Sequence, residues 1–97
     1  MTFVAIGQDS PDAQALRRVH RAAHLERIET IDAEGRLLLA GPFTDGTGSL
    51  IVFTAASEAE AATWIAADPY VTEGVFLSYT LRPFHPVYPK QHLNQKS

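Results

Sequence analysis

The 97-residue sequence contains no cysteine. Disulfide bonds, thiolate nucleophiles and thiolate metal ligands are therefore excluded. The eight Lys and Arg residues are scattered and the net charge is −3, so the clustered positive charge that binds nucleic acid phosphates is missing. No apolar run approaches the roughly 20 residues that span a bilayer, and the N-terminus lacks the basic segment and cleavage site of a signal peptide. These absences predict a cytoplasmic protein without a nucleic acid or membrane partner.

The proportions of apolar and charged residues in the sequence are those of an ordinary globular domain. Apolar residues make up 45% and charged residues 20%, which is too hydrophobic for a disordered chain. A domain of roughly 100 residues buries about two-thirds of the surface that its unfolded chain exposes. We therefore expect one folded domain over residues 1–84, followed by a polar tail over residues 85–97 that lies loose or reaches over a neighbour.

The N-terminal third predicts a strand followed by a helix. Residues 3–6, FVAI, form a short apolar run typical of a buried strand. Ser10 as N-cap, Pro11 at the first helical position and Asp12 in the first turn are signals that start a helix. This helix is expected to run to about Asp32.

The rest of the chain predicts a hairpin, a second helix and a last strand. Residues 36–43 and 48–55 are apolar segments separated by TDGT, a hairpin signal, and their near-continuous hydrophobicity indicates central strands covered on both faces. Ser57 precedes Glu60 at the spacing of a capping box and opens a helix. Residues 75–84 alternate as in a half-buried strand. The apolar side of that strand carries Val75, Leu77, Tyr79 and Leu81.

The resulting order, β-α-β-β-α-β, is the ferredoxin-like α+β arrangement. It predicts a four-stranded antiparallel sheet with both helices on one face. The other face would then expose a large apolar patch. A second copy packed sheet to sheet would cover it, so we expect a homodimer through the sheet face.

Two histidines lie four residues apart on the predicted first helix. Helical spacing places His20 and His24 on the stripe between Leu16 and Ile28 that faces the sheet. Such histidines serve as structural groups, metal ligands or catalytic imidazoles, and the residues alone leave these alternatives open. A metal site is the least favoured of the three, because Arg21 stands where the helical two-histidine zinc motif has a glutamate.

Two further segments carry candidate site residues. Asp68 follows the second helix, where the helix dipole disfavours a carboxylate, and with Pro69 it has the N-cap signature of a short helical turn. Tyr70, next in the chain, needs a place for its hydroxyl. Gly41 and Pro42 either end the strand or form a cleft wall at which a ligand can approach the main chain.

Together, several motifs resemble those of the YciI-like proteins in order and spacing. They are RAAHL at 21–25, EGRLLLAGP at 34–42, ADPYV at 67–71, GV at 74–75 and RPF at 82–84. The resemblance implies a ferredoxin-like fold that dimerises through its sheets into an α+β barrel. It also implies that His24 and Asp68 face each other in a cleft as an active-site pair, whereas His20 has no counterpart. The pattern assigns no role to the tail residues His85, Tyr88 and His92.

The favoured functional hypothesis is a small cofactor-free enzyme of the lyase or isomerase type. His24 would transfer a proton near neutral pH, and Asp68 would orient its ring. The substrate would be a small carbonyl or aromatic molecule. Arg21 and Tyr70 would contact it, and the main chain at Gly41–Pro42 would form a wall of the pocket.

Two alternatives use the same residues differently. In the first, the cleft belongs to a non-catalytic ligand-binding or interaction module, and the pair of His24 and Asp68 anchors a small acidic or aromatic ligand. In the second, Asp68 accepts a hydrogen bond from His24 only to hold the first helix against the segment that follows the second. A serine nucleophile is disfavoured, because no serine lies in a nucleophile motif.

Overall fold

The computed structural model describes residues 1–90 of the chain. Its elements are β1 (Thr2–Asp9), α1 (Ala13–Ala33), β2 (Leu37–Pro42), β3 (Gly48–Thr54), α2 (Glu58–Ala66), α3 (Pro69–Thr72) and β4 (Phe76–Phe84). The strands form one antiparallel sheet in the order β2-β3-β1-β4. This arrangement confirms the ferredoxin-like α+β fold, with α3 as an additional short helix before β4. His92 and most of the predicted tail lie outside the described residues.

One face of the sheet is covered by both long helices. Phe3 of β1 and Phe53 of β3 are fully buried there, with ring centres 6.3 Å apart. Ile28 of α1 and Ile65 of α2 pack into the same cluster. Burying a side chain of this size stabilises the fold by about 1.5–3 kcal/mol. The cluster therefore fixes α1 on the sheet and, with it, the polar side chains that α1 carries.

The opposite face of the sheet carries apolar side chains that neither long helix covers. Val4 and Val52 border a recess of about 440 Å³ on this face, together with Leu39 on β2 and with Phe84 and Tyr88 at the C-terminal side of the sheet. Leu39 is 54% exposed and Phe84 51% exposed. Contiguous exposed apolar surface of this kind is typical of an interaction site.

Two local predictions are confirmed. β2 and β3 form a hairpin joined by residues 43–47, and Gly46 adopts a φ of 77°, which a glycine reaches without steric cost. Ser57 caps α2, since its side-chain oxygen accepts a hydrogen bond from the backbone N–H of Glu60 at 3.1 Å. Short-range sequence signals therefore define both of these boundaries correctly.

The first helix starts later than the sequence predicts. The sequence predicts Ser10 as the N-cap with Pro11 as the first helical residue, whereas α1 begins at Ala13 and Asp12 occupies the N-cap position. The backbone N–H of Ser10 donates instead to the carbonyl of Val75 at 2.8 Å. This bond keeps Ser10 on the path of β1 beside the start of β4, so the helix starts later than the local signals indicate.

β2 is an edge strand, which corrects the prediction that both hairpin strands are central. Within residues 1–90 it pairs only with β3, and its register shifts between Leu37 and Leu39. β3 lies between β2 and β1 and is buried over most of its length. The apolar run of β2 therefore does not reflect burial on both faces.

The start of β4 also departs from simple alternation. Phe76 is buried, whereas Leu77 is 72% exposed, because the pairing of β1 with β4 shifts register between Gln8 and Asp9. Such a bulge places an extra residue in one strand and interrupts the alternation of faces, so the neighbours Val75 and Phe76 are both buried. Gly7 leaves room for the inward ring, since a Cβ at this position would lie 2.5 Å from an atom of Phe76. The prediction that Leu77 shares the buried side with Val75 is therefore wrong.

Candidate active site

His24 and Asp68 are in direct contact, although 44 residues separate them in the chain. His24 lies on the sheet-facing side of α1 and is buried, and its Nδ1 atom is 2.9 Å from Oδ1 of Asp68. The core packing of α1 brings the histidine to this point, and the junction of α2 and α3 brings the aspartate. The structure thus brings together the two residues that the sequence predicts as a pair.

Asp68 is fully buried, and its two carboxylate oxygens take part in three hydrogen bonds. Its Oδ1 atom caps α3 by accepting from the backbone N–H of Tyr70 at 2.8 Å and also meets Nδ1 of His24. Its Oδ2 atom accepts from Nη1 of Arg27 at 3.0 Å. A single carboxylate oxygen therefore both caps the helix and holds the imidazole, while the other oxygen is paired with a cation.

Arg27 is a site residue that sequence reasoning missed. Besides Asp68, its guanidinium donates to the carbonyl of Trp64 at 2.7 Å and lies 4.7 Å from the centre of the Trp64 ring. The available signal was spacing, because Arg27 follows His24 by three residues on the same helix face. Trp64 packs against the core and also positions this arginine.

The charge state of Asp68 sets the tautomer of His24. Burial acts to raise the pKa of Asp68, but the hydrogen bond and charge of His24, the N–H of Tyr70 and the charge of Arg27 together outweigh it, so the pKa lies below its ordinary value of 3.8. An ionised carboxylate can only accept hydrogen bonds. Nδ1 of His24 must then carry the proton, and the neutral ring keeps its lone pair on Nε2.

Nε2 of His24 is available to a ligand. No residue among 1–90 forms a hydrogen bond with it, and it is not one of the buried atoms that lack a partner, so it remains accessible. His24 lines a cleft of about 110 Å³ between α1 and the β2–β3 hairpin. A neutral imidazole oriented by a carboxylate on one side and open on the other is suited to accept a proton.

Tyr70 stacks on the histidine. The two rings are nearly parallel, at 5°, with centroids 3.9 Å apart, and Phe76 meets the tyrosine ring edge-on at 5.6 Å. Burial raises the pKa of the Tyr70 hydroxyl more than the charges of Arg17 and Arg21 lower it, so the phenol stays protonated at neutral pH. This packing restricts rotation of the imidazole ring about its Cβ–Cγ bond.

The cleft contains all four predicted contact residues. Arg21, Gly41, Pro42 and Tyr70 line it with His24, whereas Asp68 lies behind the imidazole and outside the lining. The remaining lining residues are Arg17, Leu25, Ile28, Ala40, Ser49, Leu50 and Ile51. The walls are therefore largely aliphatic, and the polar groups are concentrated on α1.

Arg17 is a second arginine that sequence reasoning missed. Its Nε and Nη2 atoms donate to the two carboxylate oxygens of Asp9 at 3.2 and 2.7 Å, and Nη2 also donates to Oγ of Ser49 at 3.0 Å. The guanidinium lies 5.1 Å from the centre of the Tyr70 ring. It precedes His24 by seven residues, two helical turns, which is the only sequence signal that links the two.

The other histidines lie away from this cleft. His20 is half-buried and is not among the lining residues, and His85 is exposed beside β4. Within residues 1–90, no group of three or more His, Cys, Asp or Glu side chains is arranged to hold a metal ion. In the same part of the chain, no helix combines the length and hydrophobicity needed to cross a membrane.

Comparison with known proteins identifies the family. Residues 1–85 match the YCII-related domain. Protein YciI of Escherichia coli O6:H1 is 36% identical over 98 residues, covering 91% of this chain and 100% of that protein, and an uncharacterized protein of Haemophilus influenzae is 34% identical with the same coverage.

A solved structure shows the same fold. The 5-chloro-2-hydroxyhydroquinone dehydrochlorinase TftG from Burkholderia phenoliruptrix AC1100, in complex with 2,5-dihydroxybenzoquinone, matches with a TM-score of 0.79 and 25% identity, over 89% of this chain and 95% of TftG. The chain belongs to the YCII-related domain family.

Proposed function

We propose that this protein is a small cofactor-free enzyme that moves a proton on a small carbonyl or aromatic substrate, in a reaction of the lyase or isomerase type. The observation that carries the proposal is the contact of Nδ1 of His24 with Oδ1 of the buried Asp68 at 2.9 Å, while His24 itself lines the cleft and no residue among 1–90 bonds to its Nε2. A histidine in this state is poised to act as a general base near neutral pH.

The proposed reaction starts with removal of a proton by Nε2 of His24. The imidazolium that forms is stabilised by the adjacent carboxylate of Asp68, which itself keeps its charge. The electron pair released from the substrate either moves to a neighbouring carbonyl oxygen or expels a leaving group. Arg21 and the Tyr70 hydroxyl are the groups available to stabilise negative charge on that oxygen, and the same histidine can return the proton in an isomerisation.

The structural neighbour supports this class of chemistry. TftG, by its name, is a dehydrochlorinase of a chlorinated hydroxyhydroquinone, and its structure holds a dihydroxybenzoquinone. A substrate of that kind is small and aromatic, and eliminating HCl from it involves proton transfer. We therefore propose small hydroxylated aromatic or quinonoid molecules as the first substrates to examine.

The test is turnover of such molecules by the protein and by matched histidine variants. We would incubate wild type, His24→Gln and His20→Gln with 5-chloro-2-hydroxyhydroquinone and measure chloride release. His20→Gln is the control, because this histidine lies on the same helix but outside the cleft. Turnover that falls by roughly 10²–10⁴-fold in His24→Gln alone would support the proposal.

The ligand-binding module remains the second candidate, and the same variants separate it from the enzyme. An enzyme loses turnover in His24→Gln and keeps most of its affinity for 2,5-dihydroxybenzoquinone. A binding module binds this ligand without releasing chloride from 5-chloro-2-hydroxyhydroquinone, and its His24→Gln variant loses affinity instead. Equal behaviour of His24→Gln and His20→Gln in both assays would contradict both functions.

We further propose that two copies pack through the open sheet faces, with residues 1–84 as the folded domain and residues 85–97 as an arm. Leu39 and Phe84 support this, because both are more than half exposed on an otherwise apolar surface. Light scattering would give the mass of a dimer for wild type and of a monomer for Leu39→Lys. A monomeric wild type would contradict the sheet-to-sheet dimer.

A further inference from the structure

Arg21 is a charged group in the cleft, and no ion pair within residues 1–90 involves it. It is exposed, and no side-chain hydrogen bond in this part of the chain joins it to another residue. Arg17 lies one helical turn earlier on the same face and also lines the cleft. Because Asp9 engages Arg17 through both carboxylate oxygens, the charge of Arg17 is compensated while that of Arg21 is not.

The lining of the cleft is also poor in negative charge. None of the cleft residues in the described part of the chain is Asp or Glu, although the whole protein has a net charge of −3. The two carboxylates beside the cleft are already engaged, since Asp9 pairs with Arg17 and Asp68 is shared between His24 and Arg27. An acidic protein thus keeps positive charge inside a concave site, where apolar walls strengthen its attraction for anions.

The hydroxyl of Tyr70 lies at the same end of the cleft as the two arginines. The guanidinium of Arg17 lies 5.1 Å from the centre of the Tyr70 ring, and Arg17, Arg21 and Tyr70 all line the cleft. Burial raises the pKa of the Tyr70 hydroxyl, and the charges of both arginines act to lower it. The protonated hydroxyl and the guanidinium of Arg21 are hydrogen-bond donors. This end of the cleft therefore offers donors and positive charge.

We propose that Arg21, supported by Arg17 and the Tyr70 hydroxyl, forms an anion subsite, so that the cleft selects small molecules with one anionic oxygen and an apolar body. The inference deepens the proposed function and rests on it for the location of the site. A ligand held through its oxygen at Arg21 places its body against Leu25 and Ile28, the aliphatic residues of α1 in the cleft. Its reactive part then lies toward His24, three residues further along the helix.

The test compares two probes of nearly the same shape, benzoate and benzamide, which differ in charge. Wild type should bind benzoate about tenfold more tightly than benzamide by calorimetry at low salt, the effect of roughly one charge-assisted hydrogen bond. Arg21→Gln should reduce this preference to about one. Arg18→Gln is the matched control, since Arg18 is exposed on the same helix, does not line the cleft and carries the same charge.

The variants separate the failure of this inference from the failure of the proposed reaction. His24→Gln should keep the preference for benzoate. A wild-type protein that turns over no substrate but still prefers benzoate would support the anion subsite and contradict the acid–base function. The subsite would be overturned by the absence of benzoate binding at millimolar concentration, by equal binding of the two probes to wild type, or by equal losses in Arg21→Gln and Arg18→Gln. Arg21→Lys should retain part of the preference.

Discussion

Two arginine–aspartate pairs flank the candidate cleft, and they use their carboxylates differently. Arg17 occupies both oxygens of Asp9, at 2.7 and 3.2 Å. Arg27 binds only Oδ2 of Asp68, at 3.0 Å, and leaves Oδ1 to His24. The same kind of ion pair therefore neutralises a carboxylate at one end of the cleft and orients one at the other.

The two pairs also differ in burial. The side chain of Asp68 is 0% exposed and that of Asp9 is 9% exposed, while both arginines remain partly accessible. Removing one partner of a buried charge pair leaves the other uncompensated, and the cost rises with burial. We therefore expect the Asp68 region to be the more sensitive to substitution, both in stability and in the chemistry of His24.

The largest effect is expected for Asp68→Asn. The variant removes a charge that His24 and Arg27 share, so the free energy of unfolding should fall by about 3–5 kcal/mol. Turnover, where a substrate is found, should fall by roughly 10²–10⁴-fold because the imidazole loses its orienting group. Denaturant unfolding measures the first effect. Asp9→Asn is the control, with an expected loss of about 1–3 kcal/mol, and equal losses in the two variants would contradict the comparison.

Acidification should lower the free energy of unfolding in the same way as Asp68→Asn, because it protonates Asp68 and removes its charge. Because the pKa of Asp68 in the folded state lies below its ordinary value of 3.8, the unfolded chain binds the proton first. The stabilisation is therefore complete above about pH 4 and is lost as the pH falls through the folded-state pKa. Unfolding measured between pH 7 and pH 2 should show a shallower decline for Asp68→Asn than for wild type, and parallel curves would contradict this assignment.

A smaller difference is expected between the two arginines. Arg27→Met should lower the free energy of unfolding by about 2–3 kcal/mol, since it leaves Asp68 with a buried, unpaired oxygen. Arg17→Met should cost about 1–2 kcal/mol, because Asp9 is closer to solvent. Thermal melts of both variants would measure the difference. A larger loss in Arg17→Met would reverse the ranking of the two regions.

The smallest effect is expected for Ser49→Ala, which removes one hydrogen bond from Arg17 and leaves its ion pair with Asp9 intact. The loss should be about 0.5–1.5 kcal/mol. Val19→Ala, at an exposed position of α1, serves as a control with an expected change of less than about 0.5 kcal/mol. A loss in Ser49→Ala above about 3 kcal/mol would mean that Ser49, rather than Asp9, holds Arg17 in place.

Local sequence signals predict the fold, and the prediction is less accurate for features that depend on strand pairing. The hairpin turn at Gly46 and the cap at Ser57 depend on neighbouring residues, so they are predictable. The edge position of β2 and the exposure of Leu77 depend on strand pairing, which local patterns do not contain. The predicted helix start at Ser10 is wrong for a related reason, since a backbone hydrogen bond to Val75 holds Ser10 beside the start of β4.

The candidate site likewise combines features that the sequence predicts with features that depend on contacts between distant elements. Family motifs predict the pair of His24 and Asp68, and the structure has them in contact. The roles of the arginines are harder to predict from sequence, because α1 carries four arginines in or beside the stripe that faces the cleft. Their positions are 17, 18, 21 and 27. Which of them meets a carboxylate depends on Asp9 and Asp68, brought there by other elements.

The tautomer of His24 is the most direct test of the account, and it needs no substrate. Nitrogen-15 NMR of the neutral imidazole should show a protonated Nδ1 and an unprotonated Nε2, with Asp68→Asn altering this state and His20→Gln leaving it unchanged. That result would establish a base oriented by the carboxylate and open to the cleft. A neutral His24 that carries its proton on Nε2 would contradict the account.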